Sequence, residues 1–302
     1  MHLHFTLPNP GPTAEQALAQ APAFAGATGE PDARGRIRHT YRGLRLEYRP
    51  GQYKGRVRGS LHTFAQGNNL GTFAAADAAR AVAELAEALA LPPEALLVKW
   101  LEVGVNLTVP TAPRPFLEQL HHHRQSPFYP LAPPPGVARP LEYVAYHAAY
   151  RLKYYDKGAY AALQGFIVPP GHHSLRFEIV YTRARNLCAL TGLPILTLAD
   201  LIKPDILRVL GGELLKHWHL TTHRRPLDYT TLKFSDATLL LAGASLEFWA
   251  ATRAATPPAT YHRNRARYNR LQRDAAHRTG PHPYDALLPA TLDQMLTNVD
   301  KC

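Results

Sequence analysis

The sequence predicts an α+β fold in which a central antiparallel sheet carries helices on one face and is followed by a helical C-terminal part. Two observations carry this. Apolar and polar residues alternate with a two-residue period only up to residue 181, and beyond it the apolar spacing is close to that of a helix. A stretch with six prolines parts the early strands from the late ones, so strands and helices are segregated rather than interleaved. With 302 residues, 46% of them hydrophobic, the chain can build one large domain or a main domain with a small appendage.

Residues 1–35, rich in Pro, Ala and Gly from residue 8 onward, read as a flexible N-terminal arm. Two amphipathic runs, 42–49 and 53–62, flank Pro50-Gly51 and predict a hairpin. Residues 73–91 are Ala-rich with Val82, Leu85 and Leu89 at helical spacing, and Pro92-Pro93 ends that helix. Residues 99–109 alternate strictly, with Leu101, Val103, Val105 and Leu107 on one face and Glu102, Gly104, Asn106 and Thr108 on the other. Residues 116–124 look helical, and the prolines of 126–140 predict an irregular insertion. Tyr143, Tyr146 and Tyr150 share helical spacing. The spacing predicts strands over 153–157 and 174–181, then helices over 183–190, 196–202, 206–219, 237–253 and 261–278. The expected organisation is the arm, a main domain over 36–233 with the 126–140 insertion, and a helical basic region over 234–302.

A formal charge of +11 in a chain with only 19% charged residues points to a polyanionic partner. Membrane is the competitor, but no apolar run of about 18 residues exists, and Glu247 interrupts the best one. His2, His4 and Pro8 spoil any signal-peptide pattern. Two cysteines, Cys188 and Cys302, give neither a disulfide framework nor a zinc spacing. A cytoplasmic protein without a membrane partner is expected.

The segment Lys153-Tyr154-Tyr155-Asp156-Lys157-Gly158 carries the most chemistry. In a strand, Lys153, Tyr155 and Lys157 share one face, and Tyr154 turns to the core with Leu152. A phenol, with an ordinary pKa of roughly 10, becomes a nucleophile when nearby positive charge favours its phenolate. The same cations attract a phosphodiester. The polar faces of the other strands add Arg56, Arg58, Ser60 and His62; Glu102, Gly104 and Asn106; and Arg176 and Glu178. Glu102 and Glu178 are hard oxygen donors suited to Mg²⁺ or Mn²⁺, with Asn106 or His62 completing the set. Alternatively both glutamates pair with Arg58 or Arg176 across the sheet.

The run from Ser60-Leu61-His62-Thr63 to Gly67-Asn68-Asn69, then Leu101-Glu102-Val103-Gly104-Val105-Asn106, Tyr155-Asp156-Lys157-Gly158, Leu175-Arg176-Phe177-Glu178 and Thr197-Leu198-Ala199-Asp200-Leu201, resembles the gene II type rolling-circle replication initiators of filamentous phages and related plasmids. The likeness covers about residues 40–205. It implies the nuclease-like fold of such initiators and a divalent-metal-dependent enzyme that nicks and rejoins single strands. Tyr155 falls on the family's nucleophile, which forms a 5′-phosphotyrosyl link and leaves a 3′ hydroxyl, and Lys157 on its companion lysine. Glu102 falls where relatives carry an acidic residue on a central strand. The partners implied are origin DNA, as a single-stranded nick site with flanking duplex, and the host replication helicase and polymerase. A replication protein that binds the origin without cutting it, or a metal-dependent nuclease using water instead of tyrosine, are the alternatives.

Many rolling-circle enzymes bind metal through a His-hydrophobic-His strand, which the matched region lacks. His121-His122-His123 and His217-Trp218-His219 lie in runs that read as helical, where i and i+2 point apart. His217 and His219 stay open as ligands, because relaxases place their tyrosine before the histidines. Tyr143, Tyr146, Tyr150 and Tyr160 either pack or supply a relay. Asn69 and Arg176, with Arg56 and Arg58, form the expected DNA track at the site. A second track is Arg263, Arg265, Arg267, Arg270, Arg273 and Arg278, against one acid, Asp274. Residues 34–58 hold nine Lys or Arg against Glu47, so DNA binding is expected to weaken steeply with salt.

Overall fold

The computed structural model describes residues 2–6, 20–24, 31–49, 54–223, 232–278 and 284–297. The chain divides into two compact units, residues 1–222 with 286–302, and residues 223–285. The class is α+β, with antiparallel sheets and a helical C-terminal part. No helix among the described residues is long and apolar enough to cross a membrane.

The first unit is built on nine antiparallel strands in the order β2-β3-β4-β1-β5-β11-β10-β9-β8. They are β1 (His2–Thr6), β2 (Ile37–Tyr41), β3 (Leu44–Arg49), β4 (Lys54–Arg58), β5 (Leu96–Val109), β8 (Tyr129–Pro130), β9 (Glu142–Tyr146), β10 (Arg151–Asp156) and β11 (His173–Tyr181). Residues directly opposite in neighbouring antiparallel strands put their side chains on one face. One row across β5, β11, β10 and β9 is therefore Asn106, Arg176, Tyr155 and Glu142, and the next is Gly104, Glu178, Lys153 and Val144. The alternate row, Val105, Phe177, Tyr154 and Tyr143, takes the other face.

Tyr154 and Phe177 are fully buried and stack at 4.5 Å between ring centroids. Trp218 of α6 (Pro204–His219) and Phe116 of α3 (Arg114–Gln119) close over them, themselves stacked at 5.7 Å. Burying a side chain of this size contributes about 1.5–3 kcal/mol, so this aromatic layer fixes β10 and β11 against α6. The tyrosine alternation expected from the sequence is realised, with Tyr154 in this layer.

Several expectations are corrected. Residues 2–6 are no arm: β1 lies inside the sheet, paired with β4 and β5. The strand expected over 53–62 ends at Arg58, because Ser60 caps α1 (Leu61–Gln66) by accepting from the Thr63 amide, so His62 is helical. The helix α2 (Ala75–Leu89) follows as expected. The run 116–124 splits into α3 and a buried strand β6 (Leu120–His123), which pairs with β7 (Ser126–Pro127) and β12 (Thr221–His223) in a second sheet. Pro127 and Pro130 thus sit in short strands at sheet edges, where a missing N–H is tolerated. Tyr143 and Tyr146 belong to β9 and not to a helix. Lys157 opens α4 (Lys157–Leu163) because Asp156 caps it through the Ala159 amide. The run 183–190 is α5 (Ala184–Thr191), whereas 196–202 is an antiparallel bridge from Thr197 to Leu97 on β5 followed by one 3₁₀ turn, Asp200–Ile202.

The second unit holds α7 (Phe234–Ala242), α8 (Leu246–Ala255) and α9 (Pro258–Arg278) around Leu240, Trp249 and Tyr268. The helix expected over 237–253 is interrupted, since Ser245 caps α8 and the Trp249 indole donates to the Gly243 carbonyl at 2.8 Å. The last helix, α10 (Leu287–Leu296), belongs to the first unit, where Leu288 and Leu292 are buried.

Candidate active site

The two polar rows on β5, β11, β10 and β9 bring Tyr155, Lys153, Glu178, Asn106 and Arg176 together, and Glu102, opposite Val180 in the adjoining row of the same face, reaches Lys153. The Tyr155 hydroxyl donates to Glu178 Oε1 at 3.2 Å, and Arg176 Nε donates to the same oxygen at 2.5 Å. Lys153 Nζ lies 3.0 Å from Glu178 Oε2, 3.6 Å from Glu102 and 3.7 Å from Glu142. Gly104 makes this approach possible: a Cβ there would fall 2.6 Å from Glu178 Cγ.

Electrostatics follow from burial. Desolvation resists ionisation of Glu178, whose side chain is 3% exposed, yet Arg176 and then Lys153 outweigh it and hold the carboxyl at about 2. Burial, then the Glu178 charge, push the Tyr155 phenol well above its ordinary value. The phenol is therefore neutral while Glu178 remains ion-paired. Burial would lower Lys153, but Glu178, Glu102 and Glu142 raise it. Lys157 is brought down to about 8 by burial and then by Arg176. Its ammonium donates to Asn69 Oδ1 at 2.5 Å, which ties the loop after α1 to the start of α4.

The four residues expected to ligate a divalent ion do not form one ligand set. Asn106 Oδ1 accepts from Arg176 Nη1 at 2.8 Å, while its amide donates to the carbonyls of Asn69, Leu70 and Gly71. His62 Nε2 pairs with Gln66 Oε1 at 3.0 Å, and its ring stacks on Phe73. Both Glu178 oxygens face cations. The position where Glu102, Glu142 and Glu178 converge is taken by the Lys153 ammonium, so the residues as arranged do not fit the ion. Glu142 escaped the sequence reading because its strand carries tyrosines at a spacing shared with helices. Burial raises its carboxyl, against the pull of Lys153, and Tyr160 donates to it at 3.3 Å.

Two clefts reach Tyr155. One, of about 320 Å³, is lined by Asn68, Asn69, Lys153, Lys157, Gln164 and Phe166 among others. The other, of about 290 Å³, has Glu102, Glu178 and His62 on one side and Leu210, Met295 and Leu296 on another.

The outlying candidates divide. Arg58 is exposed and Arg56 half-buried, opposite Arg45 and Glu47 on β3. On α9, Arg263 and Arg270 are exposed. Arg265 instead lies 4.5 Å over the Trp249 ring, and Arg267 pairs with Asp236 at 2.6 Å, so both serve the packing of their unit. Arg176, held between Glu178 and Asn106, is likewise no open DNA contact. His217 donates Nε2–H to Glu213 and accepts at Nδ1 from His123, and so is engaged in a buried string of its own. No protein-family model matches this chain, and no curated protein does.

Proposed function

We propose that the protein nicks and rejoins single-stranded DNA to start rolling-circle replication, with Tyr155 as nucleophile on the nuclease-like sheet of such initiators. The observation that carries this reading is the Tyr155 hydroxyl held on a carboxylate, Glu178, at the floor of a cleft walled by Lys153 and Lys157. A cleft with these ammonium groups attracts a phosphodiester. The entering oxyanion draws cations from Glu178, and that carboxylate becomes a stronger base toward the phenol. Tyr155 Oη then bonds to phosphorus and the bond to the 3′ oxygen breaks. The phenolic proton goes to Glu178, and Lys157, with a pKa near 8, supplies a proton to the departing oxygen. One phosphoester replaces another, so the reverse attack by a 3′ hydroxyl rejoins the strand. Arg56, Arg58, Arg263 and Arg270 are proposed to hold flanking origin DNA by its phosphates.

The test is a denaturing gel of an end-labelled single-stranded origin oligonucleotide incubated with protein, with Mn²⁺ in one arm and chelator in the other. A 3′-side fragment covalently held by the protein, and lost in Tyr155→Phe, is expected. Free fragments at both ends would indicate hydrolysis by water, and uncut DNA a binder. The chelator arm decides whether a divalent ion displaces Lys153 from among the carboxylates or the protein's own cations suffice.

A further inference from the structure

The 320 Å³ cleft beside Tyr155 has a wall that phosphate chemistry does not use. Its lining includes Phe166, on the turn after α4 and 38% exposed; of the apolar neighbours in sequence, Leu163, the last residue of α4, and Ile167 are 49% and 93% exposed. The turn is fixed by backbone bonds. Phe166 N–H donates to the Ala161 carbonyl at 3.0 Å, Gly165 N–H donates to that of Ala162 at 3.0 Å, and Gly165 takes φ +83°. This paired closure holds Phe166 at the rim without help from the core. Facing it are side-chain amides. Asn68 and Asn69, which line the cleft, accept through their oxygens from Leu70 N–H and Lys157, and the exposed Gln164 lines it too.

We propose that this cleft is a nucleobase subsite: one unpaired base next to the phosphate attacked by Tyr155 stacks on Phe166, and the amides of Asn68 and Gln164 read its edge. The proposal rests on the nicking reading and names what that site selects. The cleft is near the lower end of small-ligand sites, roughly 300–1,000 Å³, so it takes a nucleotide and excludes a duplex. Only a base out of its stack can enter. An aromatic face accepts any base, whereas amide groups distinguish base edges, so affinity falls to Phe166 and selectivity to Asn68 and Gln164.

The test uses the full chain carrying Tyr155→Phe, a fluorescein-labelled 12-mer of deoxythymidylate, and the same 12-mer with every base removed. Anisotropy is expected to show the base-containing strand binding at least tenfold more tightly. Adding Phe166→Ala is expected to shrink that ratio to about twofold or less, and Phe166→Trp to preserve it. Equal binding of the two strands, or a ratio unchanged by Phe166→Ala, overturns the subsite while leaving the nicking reading standing. If neither strand binds, the nicking reading falls and the subsite with it. Phe166 lies on the surface, so its variants leave the core intact.

Discussion

Two buried polar networks in the first unit solve the same problem in opposite ways. At the tyrosine, Glu178 is compensated by two full cations and a phenol. Where α6, β6 and the turn after β9 meet, three histidines form a string instead. His147 Nε2 lies 2.9 Å from His123 Nδ1, His123 Nε2 lies 3.0 Å from His217 Nδ1, and His217 Nε2 lies 3.1 Å from Glu213. The Glu213 carboxylate only accepts, so His217 donates to it, His123 to His217 and His147 to His123. Both nitrogens of His123 and of His217 are then satisfied while those rings are neutral. Burial brings His123 down to about 3 and His217 to about 4. The lesson is that charge balance fails when one member is removed, whereas neutral balance fails when one member is charged.

The largest expected effect follows from removing a member of the charged network. Glu178→Gln keeps shape but leaves the buried Arg176 without its carboxylate and Lys153 with only the more distant Glu102 and Glu142, and should destabilise by about 3–5 kcal/mol in urea unfolding. A loss below about 1 kcal/mol would mean that the network is solvated like a surface pair.

Acid separates the two networks next. An unfolded histidine, near 6.5, binds protons that His123 and His217 refuse, so stability falls as pH drops from about 6.5 toward about 4. Each ring contributes about 1.4 kcal/mol per pH unit in that window. The stability that Glu178 gains from its lowered pKa is present above 4.5 and is lost only as pH falls from 4.5 to about 2. Urea unfolding at pH 7, 6 and 5 should therefore show a steep loss in the wild type and a shallower one in His123→Gln. Parallel slopes would show that the string is not the acid-sensitive element.

The difference between the networks also explains what could be read from the sequence. Tyr155, Lys153, Glu102, Glu178 and Asn106 were legible because strand alternation is local, and β5, β10 and β11 obey it. Glu142 was not, since Tyr143 and Tyr146 fit a helix as well as a strand and only pairing with β10 decides. The histidine string was hidden for a deeper reason: β6 is buried on both faces, so it shows no period, and its partners come from 24 and 94 residues away. Lys157 left the expected strand because Asp156 is a helix cap, a signal that competes with alternation at one residue.

The smallest effect gives the sharpest comparison, since it sets two adjacent tyrosines on opposite faces of β10 against each other. The Tyr154 hydroxyl, in the aromatic layer, pairs with Thr221 Oγ1 at 3.0 Å, and that oxygen still donates to the His217 carbonyl when the phenol is gone. Tyr154→Phe should then cost about 0.5–1.5 kcal/mol in unfolding free energy and leave covalent capture of DNA unchanged. Tyr155→Phe removes one of two donors to Glu178 Oε1 while Arg176 keeps the other. Its stability should shift by less than about 1 kcal/mol, and capture should vanish. Exchange of these two outcomes would move the nucleophile to the aromatic face and, with it, remove every role assigned to Lys153, Lys157 and Glu178.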